Sequence, residues 1–108
     1  ISSNAYNLLD PILNKLNPLA LYKIKVNLNY KTETVIETGD HIDLDNKNFL
    51  SAVFFLNSCN GYCKVENEKI YSENNKIVIF NSNKTHTGST TSNCSRRVVI
   101  NIVYLPHE

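Results

Sequence analysis

The stretch Leu21-Tyr22-Lys23-Ile24-Lys25-Val26-Asn27-Leu28-Asn29-Tyr30 sets apolar and polar residues in alternation. Side chains of an extended chain point to opposite faces in turn. Tyr22, Ile24, Val26, Leu28 and Tyr30 therefore share one face, and Lys23, Lys25, Asn27 and Asn29 share the other. This pattern predicts a half-buried strand. Upstream the period is helical. Asp10-Pro11 reads as an N-cap followed by proline at the first helical position; Ile12, Leu13 and Leu16 form the apolar stripe, and Pro18 ends it. Ser3 to Leu9 leaves room for an earlier turn or short helix.

Downstream the chain keeps reading as strands. Thr32 to Thr38 is rich in β-branched residues and predicts a second strand, closed by Gly39-Asp40. Phe49 to Leu56 is an almost unbroken apolar run, suited to a central strand covered on both faces. Tyr62 to Val65 and Ile70-Tyr71 predict short strands, Lys76 to Phe80 another, and Arg97 to Leu105 the last. Aromatics at strand positions (Tyr22, Tyr30, Phe54, Phe55, Phe80, Tyr104) are expected to pack the core. Many short strands after a single helical segment imply a mainly β sandwich or barrel rather than a parallel α/β fold.

The 108 residues make one domain, 1–108, with 42% hydrophobic and 19% charged residues to build and solvate a core. The chain opens at Ile1 and contains no methionine, which suggests a partial chain. A formal net charge of +1 offers no case for a nucleic-acid or membrane partner. No apolar run reaches the roughly 18 residues of a membrane span. The 17 asparagines reflect compositional bias more than chemistry. Cys59, Cys63 and Cys94 are an odd number, read as three reduced thiols of a cytoplasmic protein, with a Cys59–Cys63 or Cys63–Cys94 bridge as the alternative.

Chemistry concentrates around two of the three histidines. His107 lies in a terminal tail and is expected to be solvated. His41-Ile42-Asp43 follows the turn residues Gly39-Asp40, and in extended chain the imidazole and the carboxylate fall on one side. His86 stands in the polar segment Asn81 to Gly88, where a second strand edge can bring it alongside. Two imidazoles and one carboxylate with open positions form the facial triad of non-haem Fe(II) oxygenases. Such an H-x-D alone is a weak signal, equally consistent with surface histidines and a turn aspartate. A zinc site from Cys59, Cys63 and either Cys94 or His86 is a poorly formed rival.

Arg96-Arg97 heads the apolar strand Val98 to Tyr104. Neighbouring strand residues face opposite ways, so only one of the two guanidinium groups can point inward. An inward one calls for an anion, because an unpaired buried charge costs several kcal/mol. A carboxylate supplies a planar, bidentate partner.

Taken in order, the H-x-D, the strand ending Phe54-Phe55-Leu56-Asn57, the strand Lys76 to Phe80, the distal His86 and Arg96-Arg97 resemble the 2-oxoglutarate- and Fe(II)-dependent dioxygenase superfamily. The nearest likeness is to its prolyl-hydroxylase-like branch, over about Lys23 to Leu105. The resemblance implies a double-stranded β-helix (jelly-roll) core, with His41, Asp43 and His86 as Fe(II) ligands. It also implies Arg97, with Arg96 in reserve, as the group holding the far carboxylate of the co-substrate 2-oxoglutarate. Asn27 or Asn29 is a further candidate co-substrate contact. The implied activity is hydroxylation of a small-molecule or peptide substrate, peptidyl proline first, using dioxygen and releasing succinate and CO2. Two departures stand out: Phe55 replaces a family tyrosine, and Asn60-Gly61-Tyr62, flanked by Cys59 and Cys63, replaces a Gly-Gly turn. A jelly-roll binding or structural module without catalysis is the alternative.

Overall fold

The chain is described here by a computed structural model covering residues 3–108. Helix α1 (Ser3–Leu16) comes first. It is followed by strands β1 (Ala20–Tyr30), β2 (Leu50–Phe55), β3 (Tyr62–Val65), β4 (Glu68–Tyr71), β5 (Ile77–Asn81), β6 (His86–Gly88) and β7 (Arg96–Leu105). The strands form two sheets, ordered β1-β7-β2-β5 and β4-β3-β6, with antiparallel pairing throughout. The fold is mainly β, as the strand spacing predicts, and is the jelly roll that the resemblance implies. Among the described residues no helix is long and apolar enough to cross a membrane.

Strand parity divides the core in two. On the inner face of the larger sheet, Val53 and Phe55 of β2, Phe80 of β5 and Val99 of β7 meet Cys63 of β3 between the sheets. On the outer face, Ala52, Ile100, Ile102 and Tyr104 are covered by α1 through Leu9, Ile12, Leu13 and Leu16. Those four helix residues follow i, i+3, i+4, i+7 spacing, one stripe of an α-helix. The stripe runs across Pro11, which lies inside the helix rather than at its first position, and Asp10 is therefore not its N-cap. Docking of this stripe on the sheet outweighs the hydrogen bond that proline removes. The helix ends at Asn17, which takes a left-handed φ of 47° ahead of Pro18 while its N–H bonds the Leu13 carbonyl.

Two further expectations are corrected and a third is made specific. Thr32 to Thr38 makes only isolated bridges, because Thr87 and Thr90 side chains interrupt the backbone ladder: the Ile36 N–H donates to Thr90 Oγ1 and the Gly39 N–H to Thr87 Oγ1. The polar segment after Phe80 contains a strand, β6, held against β3. The apolar face of β1 is not half-buried. β1 is an edge strand reaching beyond the cover of α1, so Tyr22 and Tyr30 stay 57% and 72% exposed instead of packing the core. Its polar face, Lys23, Lys25, Asn27 and Asn29, turns inward over a cavity. Cys59, Cys63 and Cys94 are free thiols.

Candidate metal centre

The cavity between the sheets measures about 410 Å3 and is lined by β1, β7, the His41–Asp43 segment and β6. That size suits a small organic ligand. The backbones of His41 and His86 exchange both hydrogen bonds at 2.9 Å, which sets their rings 4.4 Å apart between centroids. Asp43 follows two residues later on the same side, its N–H bonded to the Ser82 carbonyl. Asp43 Oδ1 lies 3.5 Å from His41 Nε2 and 3.2 Å from His86 Nε2. Among the described residues this is the one group of three or more His, Cys, Asp or Glu side chains placed to hold a metal ion, with all ligand atoms within 4.8 Å of one another. The zinc reading through Cys59 and Cys63 therefore has no assembled donor set among those residues.

The hydrogen bonds behind these atoms decide what the site can accept. His41 Nδ1 faces the Gly39 carbonyl at 3.2 Å, and His86 Nδ1 faces the Lys84 carbonyl at 2.9 Å. A carbonyl only accepts, so each Nδ1 carries a proton and each neutral ring presents its Nε2 lone pair to Asp43. Ser51 donates to Asp43 Oδ2 at 2.6 Å, which leaves Oδ1 turned toward the imidazoles. Two lone pairs and an anionic oxygen facing one another need a cation among them. Either a proton on His86 or a metal ion meets that need, and this donor set fits Fe(II).

Electrostatics follow the same logic. Burial raises the Asp43 pKa, but hydrogen bonds from His86 and Ser51 and the nearby imidazoles outweigh it, so the net shift is downward. For His86, burial acts to lower the pKa, and the bonds to Asp43 and the Lys84 carbonyl outweigh it, leaving it raised. His86 is deep, 6% exposed, and packs at a tilt against Phe80 with ring centres 4.7 Å apart; His41 is 55% exposed at the mouth. The site thus opens to solvent on one side.

Arg97 is 2% exposed, whereas Arg96 is exposed. On β7 the residues Arg97, Val99, Asn101 and Val103 face the cavity, in register with Asn29, Asn27, Lys25 and Lys23 of β1. Arg97 Nε donates to Ser72 Oγ at 2.7 Å and Nη1 to the Ser89 carbonyl at 3.3 Å. Its guanidinium lies 5.6 Å from the Phe55 ring centre. Among the described residues no carboxylate pairs with it. Among the described residues Nη2 has no hydrogen-bond partner and no fully buried polar side-chain atom is left unsatisfied, so Nη2 keeps some exposure, and Arg97 lines the cavity. Burial lowers the Arg97 pKa, and the Cys63 thiol beside it is itself pushed up to about 11 by burial.

Gly61 makes this placement possible: a Cβ there would sit 2.6 Å from both Arg97 Cδ and the Thr90 carbonyl oxygen. Arg97 Nη1 also packs over Gly88, two residues beyond His86 on β6. Two residues of strand span about 7 Å, so the guanidinium lies roughly that far along the sheet from the His86 imidazole.

His41, Asp43, His86 and Arg97, singled out in the sequence, line one cavity, and both Asn27 and Asn29 line it as well. Sequence reasoning missed Ser51, Ser72, Ser89 and Gly61. Ser51 left a signal: a hydroxyl at an inward position of an otherwise apolar strand is rarely there without a bonding partner.

No family model matches the chain, and no curated protein matches it. Solved structures do. A cupin protein from Bacteroides fragilis superposes with a TM-score of 0.60 at 14% identity, over 87% of this chain and 73% of that one. A non-heme monooxygenase, ThoJ, in a nickel complex gives 0.58 at 12% identity, over 92% of this chain and 49% of that one. An HTH_3-family transcriptional regulator from Vibrio cholerae gives 0.52 at 14%, over 98% of this chain and 65% of that one. The chain thus spans about half of the monooxygenase and under two thirds of the regulator. At such identities the likeness is one of fold. It extends to the cupin jelly roll and stops short of the prolyl-hydroxylase branch that the motif order resembles.

Proposed function

We propose that the chain is an Fe(II)- and 2-oxoglutarate-dependent dioxygenase that hydroxylates a small-molecule or peptide substrate, peptidyl proline being the first to test. The observation that carries this reading is the convergence of two imidazole Nε2 atoms and Asp43 Oδ1, with each Nδ1 tied to a backbone carbonyl. Bound Fe(II) would supply the activation of dioxygen that no side chain in the cavity offers. The protein's own part is placement. His41, Asp43 and His86 would hold the ion, and the cavity beside them has room for a chelating co-substrate. Arg97, about 7 Å along the strand, offers Nη2 to the far carboxylate of a short dicarboxylic acid. Ser72 and the Ser89 carbonyl fix the guanidinium plane beforehand, so little ordering is left to binding. Val53, Val99 and Val103 give the cavity apolar walls that would exclude water around the ligand's carbon chain.

The test is succinate release from 2-oxoglutarate by the Fe(II)-loaded chain in air, against panels of prolyl peptides and small molecules. Turnover is expected in the parent. Asp43→Ala and His86→Ala should show none while keeping the β-rich circular dichroism. Undiminished succinate in either variant rejects the assignment. Saturable 2-oxoglutarate binding without turnover on any panel member identifies the non-catalytic jelly-roll module instead.

A further inference from the structure

β1 is the edge of the larger sheet, and among the described residues nothing pairs with its outer side. Leu19, Leu21, Tyr22, Ile24, Val26, Leu28 and Tyr30 are all exposed there, Val26 at 60% and Tyr30 at 72%. A long, apolar, unpaired edge is what soluble proteins commonly avoid by adding charges, bulges or proline. Here the charges sit on the other face, toward the cavity, and the one bulge lies at the strand's start, between Leu21 and Lys23.

The free backbone groups can be identified. The Lys31 N–H bonds the Ser95 carbonyl, so in the β1·β7 register the odd-numbered residues of β1 spend their backbone groups on β7. The β7·β2 pairing agrees: the Leu56 N–H bonds the Val98 carbonyl, committing the even-numbered residues of β7 to β2. Ile24, Val26, Leu28 and Tyr30 therefore point their N–H and C=O groups outward, along the same edge that carries their exposed side chains.

The sequence of this edge is symmetric about Val26. In Tyr22-Lys23-Ile24-Lys25-Val26-Asn27-Leu28-Asn29-Tyr30, an antiparallel copy turned about Val26 sets Val26 opposite Val26, Ile24 opposite Leu28 and Tyr22 opposite Tyr30. The Val26 pair and the two Ile24–Leu28 pairs beside it meet free groups with free groups, making about six hydrogen bonds over these central three pairs. On the cavity face the same register sets Lys23 opposite Asn29 and Lys25 opposite Asn27, so no lysine faces a lysine. Like charges directly opposite one another are destabilising, and this register avoids them at every position. We infer that a second copy of this chain docks on β1, antiparallel about a two-fold axis at Val26, joining the two four-stranded sheets into one. The inference does not depend on the metal centre.

Sedimentation velocity of the purified chain, over about 1 to 100 µM where non-obligate dimers dissociate, is expected to show a monomer–dimer equilibrium. Val26→Lys puts two ammonium groups at the axis and should weaken the dimer by about tenfold or more, with circular dichroism unchanged because Val26 touches solvent. Asn27 reads the register. Asn27→Glu sets a carboxylate opposite the partner's Lys25 and should tighten the dimer, whereas Asn27→Lys should loosen it. A chain monomeric across the whole range overturns the proposal, as does a dimer indifferent to Val26→Lys. A dimer that Asn27→Glu and Asn27→Lys leave equally stable overturns the pairing about Val26. Monomer that binds neutral lipid vesicles through this edge would assign the surface to a membrane instead.

Discussion

Replacing Arg97 by methionine should make the ligand-free protein no less stable, and the ligand-bound protein much less so. In the free state Arg97 is 2% exposed, and among the described residues its guanidinium hydrogen-bonds only Ser72 Oγ and the Ser89 carbonyl, beside the Phe55 ring. Two hydrogen bonds from a charged donor contribute about 1.5–3 kcal/mol each, and the ring at most about 2 kcal/mol more. Against them stands the desolvation of a cation with no carboxylate partner, several kcal/mol in its own right. The balance is near zero. Methionine of similar length fills the space without the charge, so a gain of up to about 2 kcal/mol is expected. Ligand reverses the order. At a hundred times its dissociation constant, 2-oxoglutarate should stabilise the parent by about 2.7 kcal/mol. In a domain of this size that is a rise in Tm of about 10–20 °C. Arg97→Met should lose nearly all of it. The assay is thermal unfolding of both proteins with metal, with and without saturating 2-oxoglutarate. Two results would refute the reasoning: Arg97→Met unfolding more than about 2 kcal/mol easier without ligand, or its Tm rising with 2-oxoglutarate as the parent's does.

Gly61→Ala reaches the same group indirectly: its Cβ meets Arg97 Cδ and the Thr90 carbonyl at 2.6 Å. The strain should cost about 1–3 kcal/mol and weaken dicarboxylate binding, while isothermal titration finds metal affinity unchanged. For metal-free protein, the raised His86 pKa contributes stability that is present below its ordinary value near 6.5 and lost as pH rises through the folded value. The lowered Asp43 pKa contributes stability present above its ordinary value near 3.8 and lost as pH falls through the folded one. Urea midpoints in chelator should therefore fall on both sides of that window, whereas metal affinity should climb with pH as protons leave Nε2. Tyr62 donates to Glu37 Oε2 at 2.6 Å, and that bond, with burial, pushes its pKa up to about 12. Ultraviolet titration should find one tyrosine ionising near there, and Glu37→Gln should bring it back toward 10.

Local signals in the chain were enough to find most of the strands and half of the candidate metal site. Alternation marked β1, an unbroken apolar run marked β2, and the H-x-D spacing put His41 and Asp43 on one side because strand parity is a property of neighbouring residues alone. Parity cannot say which side is inside. Pattern reasoning buried the apolar face of β1, but the helix covers β7 and β2 and leaves that face at the edge, so its lysines and asparagines line the cavity instead. Pro11 misled for a related reason: a local helix signal gave way to a stripe docked across it. His86 reaches His41 through a backbone pairing between residues 45 positions apart in the chain, and Ser72 accepts a bond from Arg97, 25 positions away. Composition and periodicity carry no record of such pairings. The sequence alone determined that the chain forms short strands and which residue types it holds for chemistry. The closure of two sheets decided which of them share a cavity, because only there do burial and unpaired charge act on side chains from different strands at once.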